Sequence, residues 1–315
     1  MTFSILTRRN FITQTCVTAA LMSINDKQGR AAEGNHKGLH LSSNQYSWQT
    51  FYSREGKDFM GNPDEGFKDI ASSGINGFEG IISSPQQMDE RASLLKKHGL
   101  EMRSIYVNST LHEKDQAEQS IQQILAIAEK ARSAGTRIFV TNPNPIQWGS
   151  AQYKSDEQLK VQAESMNQLG RQLQQKGITL AYHNHDIELH NAAREFHHMM
   201  NGTDPENVSL CLDAHWIYRG SGNSSIALFD VLKLYGSRVS EVHLRQSKNN
   251  VWTETFGEGD IDYQRLADYL HGINNHPHLV LEQAPEQGTP HTMGPVEVHK
   301  QSAEYARKVF AQFSE

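Results

Sequence analysis

The stretch ITLAYHNHDIEL, residues 178–189, passes from apolar and β-branched residues into His183, Asn184, His185, Asp186 and Glu188. Imidazoles and carboxylates at that density can ligate a metal ion or move protons, and a core strand has use for neither. Other apolar runs end in the same way. Glu79, Asn108 and Asn142 close three earlier runs; Asp213 with His215, His243 and Glu282 close three later ones. A lone Asp at such a place is an N-cap for the next helix, and a lone His is a structural residue. Carboxylates crowded at one rim repel each other, and a divalent cation relieves that repulsion. Three carboxylates and one imidazole suit Mn²⁺ first, with Co²⁺, Mg²⁺ or Zn²⁺ as alternatives.

The elements that must position these groups follow one cadence. A helical stretch ends in Gly74, Gly99, Gly135 or Gly177, and a short apolar run follows each. Glycine there predicts a left-handed residue just past a helix, and the runs read as buried parallel strands. The segments 208–213, 239–244 and 278–283 add three strands, and LHLSSNQ at 39–45 opens the set. Amphipathic helices are expected over 116–133, 153–176, 226–236 and 262–273. Eight strands alternating with helices over residues 38–315 predict a single-domain α/β fold, a (β/α)8 TIM barrel, usually of about 250 residues. A doubly wound sheet is the competitor, but no Gly-x-Gly-x-x-Gly follows the first strand. In a barrel, strand C-termini share one rim, so the chemistry-bearing residues converge there.

Charge and composition exclude other classes. The net charge is −6, from 30 Lys+Arg and 36 Asp+Glu, which argues against a nucleic-acid partner. Two distant cysteines, Cys16 and Cys211, argue against a disulfide scaffold. TRRNFI at residues 7–12, followed by a short apolar run, matches a twin-arginine leader over 1–32 and predicts a periplasmic or secreted protein. That run is too short to insert stably in a membrane.

YHNHDIE, LDAHWIYRG, VHLRQ, FGEGDID and LVLEQ stand in the order and positions of the xylose isomerase-like barrels, which the chain resembles from residue 38 to 313. That superfamily includes sugar isomerases and epimerases, inosose dehydratase, and the family-2 apurinic endonucleases. The resemblance implies one divalent metal held by Glu188, Asp213, His243 and Glu282, with His183 as the alternative ligand on its strand. Relatives often place a Lys-Asp pair after the strand-7 His, whereas this chain reads His243-Leu244-Arg245-Gln246. Arg245 is a forked donor, suited to an anionic group or to a salt bridge.

A metal site of this kind chelates a sugar carbonyl and the adjacent hydroxyl, and a base removes the proton beside the carbonyl to give an enediolate. His185 is the candidate base and His183 the second; the resemblance implies that Glu282 can also exchange protons. Trp216 is placed to stack on a sugar ring, with Asn142, Asn184, His215 and Arg245 as further substrate contacts. Trp48 and Tyr106 either line the mouth or pack in the core. The loop 256–262 leads into a helix capped by Asp260 or Asp262, and the histidine-rich pieces at 195–202 and 273–279 read as surface.

The leading expectation is therefore a metal-dependent isomerase or epimerase on a small-molecule carbohydrate. Alternatives are a lyase or dehydratase on keto-sugars or 3-keto-glycosides, and a non-catalytic periplasmic sugar-binding barrel. Barrels of this kind often pair, so the resemblance leaves a homodimer open, and the sequence itself does not fix the oligomeric state.

Overall fold

The computed structural model describes residues 38–314. The leader pattern at 7–12 and Cys16 lie outside the described residues. Eight parallel strands form the barrel: β1 (Leu41–Asn44), β2 (Gly77–Ile81), β3 (Ser104–Tyr106), β4 (Ile138–Thr141), β5 (Thr179–His183), β6 (Val208–Asp213), β7 (Val239–Leu244) and β10 (His278–Leu281). Each pairs with its neighbour in chain order, and β10 closes the ring on β1 through Leu41 opposite Leu279. After β7 a small antiparallel hairpin, β8 (Ser247–Lys248) and β9 (Val251–Trp252), interrupts the alternation.

The surrounding helices are α1 (Gln45–Arg54), α2 (Pro63–Ser72), α3 (Pro85–Lys97), α4 (Lys114–Ser133), α5 (Asp156–Gln174), α6 (His190–Gly202), α7 (Ala214–Gly220), α8 (Ser225–Tyr235), α9 (Tyr263–Gly272) and α10 (Pro295–Val309). Their starts follow the sequence chemistry. Ser155 and Gln158 form a reciprocal capping box at α5, and Asp262 accepts from Arg265 N–H at α9. Of the two expected caps at that loop, Asp260 is instead spent on the hairpin, accepting from Ser247 Oγ and the Asn249 and Asn250 amides. Gly74, Gly99, Gly135 and Gly177 all have positive φ, from 69° to 100°, as the helix-ending pattern requires.

The main core lies between the sheet and the helices, where Phe78, Phe139, Leu180, Leu210, Val242 and Leu279 are buried. Each such side chain contributes about 1.5–3 kcal/mol on burial. A second, small apolar group of Val140, Ala181 and Cys211 occupies the barrel interior. Between this layer and the mouth the interior turns polar, with Glu79, Glu241 and His243 all at 0 % exposure. Trp48 packs in the core, stacked on His299 with ring centroids 3.7 Å apart. His278 is half-buried at the N-terminal end of β10 and bonds Ser42 Oγ, so the expected surface role does not hold for it. Among the described residues no helix is long and apolar enough to cross a membrane.

Candidate metal centre and sugar site

Four consecutive barrel strands bring His183 and Asp213 as their last residues, His243 one residue before the end of β7, and Glu282 one residue past β10. Each offers one ligand atom, and the four atoms lie within 4.8 Å of one another. His183 Nε2 stands 3.6 Å from Asp213 Oδ2, too far for a hydrogen bond. Neither His183 nitrogen and not Asp213 Oδ2 has a hydrogen-bond partner, although both side chains are buried. Open buried atoms on His183 and Asp213, with the His243 imidazole and the Glu282 carboxylate beside them, fit a divalent cation with mixed N and O preference.

Asp213 divides its oxygens between two tasks. Oδ1 accepts from Trp216 N–H at 2.7 Å and caps α7, while Oδ2 faces His183. The cap and the ligand readings of this residue are therefore compatible. Glu282 is clamped from both sides, by Arg245 Nη2 at 3.0 Å and His243 Nδ1 at 3.2 Å. Burial alone would raise its carboxyl, but the charges of Arg245 and His243 outweigh that and hold it well below the usual carboxylate range.

Glu188 stands elsewhere. Its Oε2 accepts from His185 N–H at 2.7 Å and its Oε1 from Asn142 Nδ2 at 3.1 Å. It sits in the 3-10 turn Ile187–Leu189 just past β5 and pins that turn to β4. Burial and the charge of Glu195 raise its carboxyl, against these two hydrogen bonds. His183, the alternative on this strand, is the residue that joins Asp213, His243 and Glu282.

Asn142 organises the end of β5. Its amide nitrogen also donates to the His183 carbonyl at 3.0 Å, so its Oδ1 is left to accept from His185 Nδ1 at 3.2 Å. With Nδ1 as the donor, His185 Nε2 carries the free lone pair. Burial, then the neighbouring His183, Arg245 and His243 charges, push His185 down to about 3, so its ring is neutral at working pH. The Asn142 amide is thus engaged with protein groups, while Asn184 Oδ1 is buried and open.

Aromatic rings frame His185. Trp216 lies 5.6 Å away and the exposed Trp148 5.5 Å away, edge-on. Tyr106 meets His183 edge-on at 5.7 Å. The Arg245 guanidinium packs over Trp216 at 5.2 Å and over Trp252 at 4.3 Å. Both His215 nitrogens are buried without partners, and burial pushes that ring down to about 3. Trp148, Trp252 and Glu241 were missed in the sequence. Glu241 had a signal, since a carboxylate two residues before His243 on one strand faces the same way. The hairpin that delivers Trp252 had none beyond Asn249-Asn250, both left-handed in the structure.

The hairpin is held over this side of the barrel. Gly259 approaches it so closely that a Cβ would stand 2.1 Å from the Ser247 carbonyl oxygen. Arg219 forms a bidentate pair with Glu286, at 2.9 and 2.8 Å, and Glu286 also accepts from Trp252 N–H.

Residues 67–309 match the family described as the xylose isomerase-like TIM barrel. An inosose dehydratase of Clostridium perfringens is 23% identical over 269 residues, covering 76% of this chain and 87% of that protein. A sugar phosphate isomerase/epimerase from Parabacteroides distasonis superposes with a TM-score of 0.68 at 17% identity, covering 90% of this chain and 98% of the other. A 3-keto-D-glucoside 4-epimerase from E. coli superposes with a TM-score of 0.61 at 15% identity, covering 86% and 99%. The barrel order, the extent of the match and the position of the site agree: the chain belongs to the xylose isomerase-like TIM barrel family.

Proposed function

We propose that this protein is a divalent-metal-dependent sugar isomerase or epimerase that removes a proton from the carbon beside a carbonyl. The observation that carries the reading is the meeting of His183, Asp213, His243 and Glu282 next to His185, a neutral imidazole whose Nε2 is open. His183, Asp213 through Oδ2, His243 and Glu282 would hold the ion, with Mn²⁺ the first choice. A divalent ion there supplies a Lewis acid for charge developing on the carbonyl oxygen.

The chain's own residues account for the remaining tasks. His185 accepts the proton at Nε2, while Asn142 fixes its Nδ1–H. Trp216, half-buried beside His185, offers an apolar face for a sugar ring. His215 and Asn184, whose buried polar atoms are open, would bond hydroxyl groups of the sugar. Arg245 is already paired with Glu282, which leaves less of its charge for an anionic substrate. That pairing, together with the twin-arginine pattern, supports a neutral sugar and a periplasmic or secreted location.

A second reading, a lyase or dehydratase on a keto-sugar or 3-keto-glycoside, shares the proton abstraction. The clamp on Glu282 favours it. Epimerisation needs a proton returned from the opposite face, and a carboxylate held ionised between Arg245 and His243 is a poor donor. The relatives named inosose dehydratase lend the same reading support.

The test is solvent exchange. The Mn²⁺-loaded protein, incubated in D2O with neutral ketoses and 3-keto-glycosides, should place deuterium beside the carbonyl of one of them. An isomer as product supports the first reading and an unsaturated or cleaved product the second. Exchange or turnover confined to sugar phosphates, or none at all, contradicts both.

A further inference from the structure

The barrel interior below the mouth holds two carboxylates that the proposed chemistry does not use. Glu79 on β2 and Glu241 on β7 are both at 0 % exposure, next to the apolar layer of Val140, Ala181 and Cys211. Taking carboxylates out of water into such a layer is costly unless each is paired. Their partners are few. Glu79 accepts from Asn44 Nδ2, Cys211 Sγ lies 3.7 Å from Glu241 Oε1, and both carboxylates face His243. Glu79 Oε1 and Glu241 Oε2 accept from no other donor, and the two carboxyls lie against each other.

The His243 ring spans the two layers. Its Nδ1 is 3.2 Å from Glu282 Oε2 on the mouth side; its Nε2 is 3.1 Å from Glu241 Oε1 and 3.3 Å from Glu79 Oε2. A neutral imidazole has one N–H and one lone pair. In the metal-free protein both ring nitrogens face carboxylates; where a cation replaces the Nδ1 proton, a hydrogen bond from Nε2–H to Glu241 leaves the Nδ1 lone pair facing the cation site beside Glu282. Strand geometry makes this a fixed arrangement, because Glu241 and His243 are two residues apart and project to the same face.

We propose that Glu241, backed by Glu79 and Asn44, is the positioning residue that fixes the tautomer and aim of His243 for the cation. The inference rests on the reading of His243 as a ligand given above. It concerns how that ligand is held, and it assigns a role to a carboxylate pair whose burial is otherwise unexplained.

Cobalt titration followed by visible absorption tests it, on the wild type, Glu241→Gln, Glu241→Leu and Glu79→Leu, with thermal melts of the metal-free proteins alongside. The wild type should take one Co²⁺ per chain. Glu241→Leu should bind about 10–100-fold more weakly, the usual effect of losing a carboxylate behind a ligating His. Glu241→Gln, whose amide oxygen still accepts from Nε2–H, should keep most of the affinity, and Glu79→Leu should fall between. The metal-free melts should not fall in step with the affinity. A measurement independent of these variants is the imidazole ¹⁵N spectrum of the Zn²⁺-loaded wild type, in which His243 should carry its proton on Nε2.

Wild-type affinity in Glu241→Leu, or a proton on Nδ1, overturns the positioning role and leaves the metal site intact. Affinity lost only in proportion to metal-free stability also overturns it. Two Co²⁺ per chain, the second lost in Cys211→Ser, would make the carboxylates ligands instead. No Co²⁺ binding by the wild type removes the ligand reading, and this inference with it.

Discussion

His183 Nε2 and Asp213 Oδ2 face each other across the β5–β6 pair at 3.6 Å, both buried and both without a hydrogen-bond partner. Two adjacent strands would not present open lone pairs to one another without something to hold. The rest of the site is arranged around that gap, with His243 and Glu282 completing the group and His185 beside it.

The two oxygens of Asp213 can be separated by mutation. In Asp213→Asn the side-chain oxygen can still accept from Trp216 N–H, so the metal-free protein should lose less than about 1 kcal/mol, within the range of a cap substitution. Metal affinity should fall sharply, because a charged ligand has gone. A denaturant melt and a metal titration on the same sample check both halves. Unchanged metal affinity would show that Asp213 acts only as the helix cap.

His185→Gln should lower kcat by about 10²–10⁴-fold, the usual contribution of a positioned base, with metal content unchanged. Asn142→Ala should reduce kcat less, because His185 stays in place but loses the partner that fixes its tautomer. Steady-state kinetics on the sugar found by deuterium exchange provides the measurement. Full turnover in His185→Gln would move the base to another residue.

Arg245 is 1 % exposed, holds Glu282 and packs against two tryptophans. Arg245→Met should cost roughly 3–5 kcal/mol, the penalty for removing one partner of a buried pair, and Arg245→Lys should recover only part of it. Chemical denaturation of the metal-free variants decides. A loss below about 1 kcal/mol, typical of an exposed pair, would mean that solvent reaches Glu282.

Acid stability should depend on His299, which is not one of the candidate metal ligands. Burial pushes this ring from 6.5 down to about 4, against the hydrogen bond from its Nδ1 to the Pro295 carbonyl. Between those values the unfolded chain takes up a proton that the folded chain refuses, so stability falls as pH drops from 6.5 towards 4. The contribution is at most about 3 kcal/mol. In His299→Phe the fall over that window should be shallower than in the wild type, as read from melting temperature against pH. Parallel curves would contradict the assignment.

The barrel was legible because its signals are local and repeated. The strands at 208–213 and 239–244 match the sequence reading residue for residue, and the glycines after the helices adopt the conformation their position demands. Reading the ends of strands also reached His183, Asp213, His243 and Glu282. Which of His183 and Glu188 stands with Asp213, His243 and Glu282 was not legible. It depends on a 3-10 turn that folds Glu188 back onto the His185 amide and Asn142, and nothing in the spacing foretells that turn. Glu241 was overlooked for a different reason, as attention to strand ends passes over a carboxylate in mid-strand. Trp252 reaches the site through a hairpin whose placement depends on Asp260 and Glu286, contacts distant in sequence.

The most direct test is the metal content of the purified protein by elemental mass spectrometry, wild type beside His183→Gln and Glu188→Gln. The account predicts about one divalent ion per chain in the wild type, lost in His183→Gln and kept in Glu188→Gln. Metal lost only in Glu188→Gln would return the strand-5 ligand to Glu188 and contradict the geometry. No bound metal in any of the three would contradict the central claim.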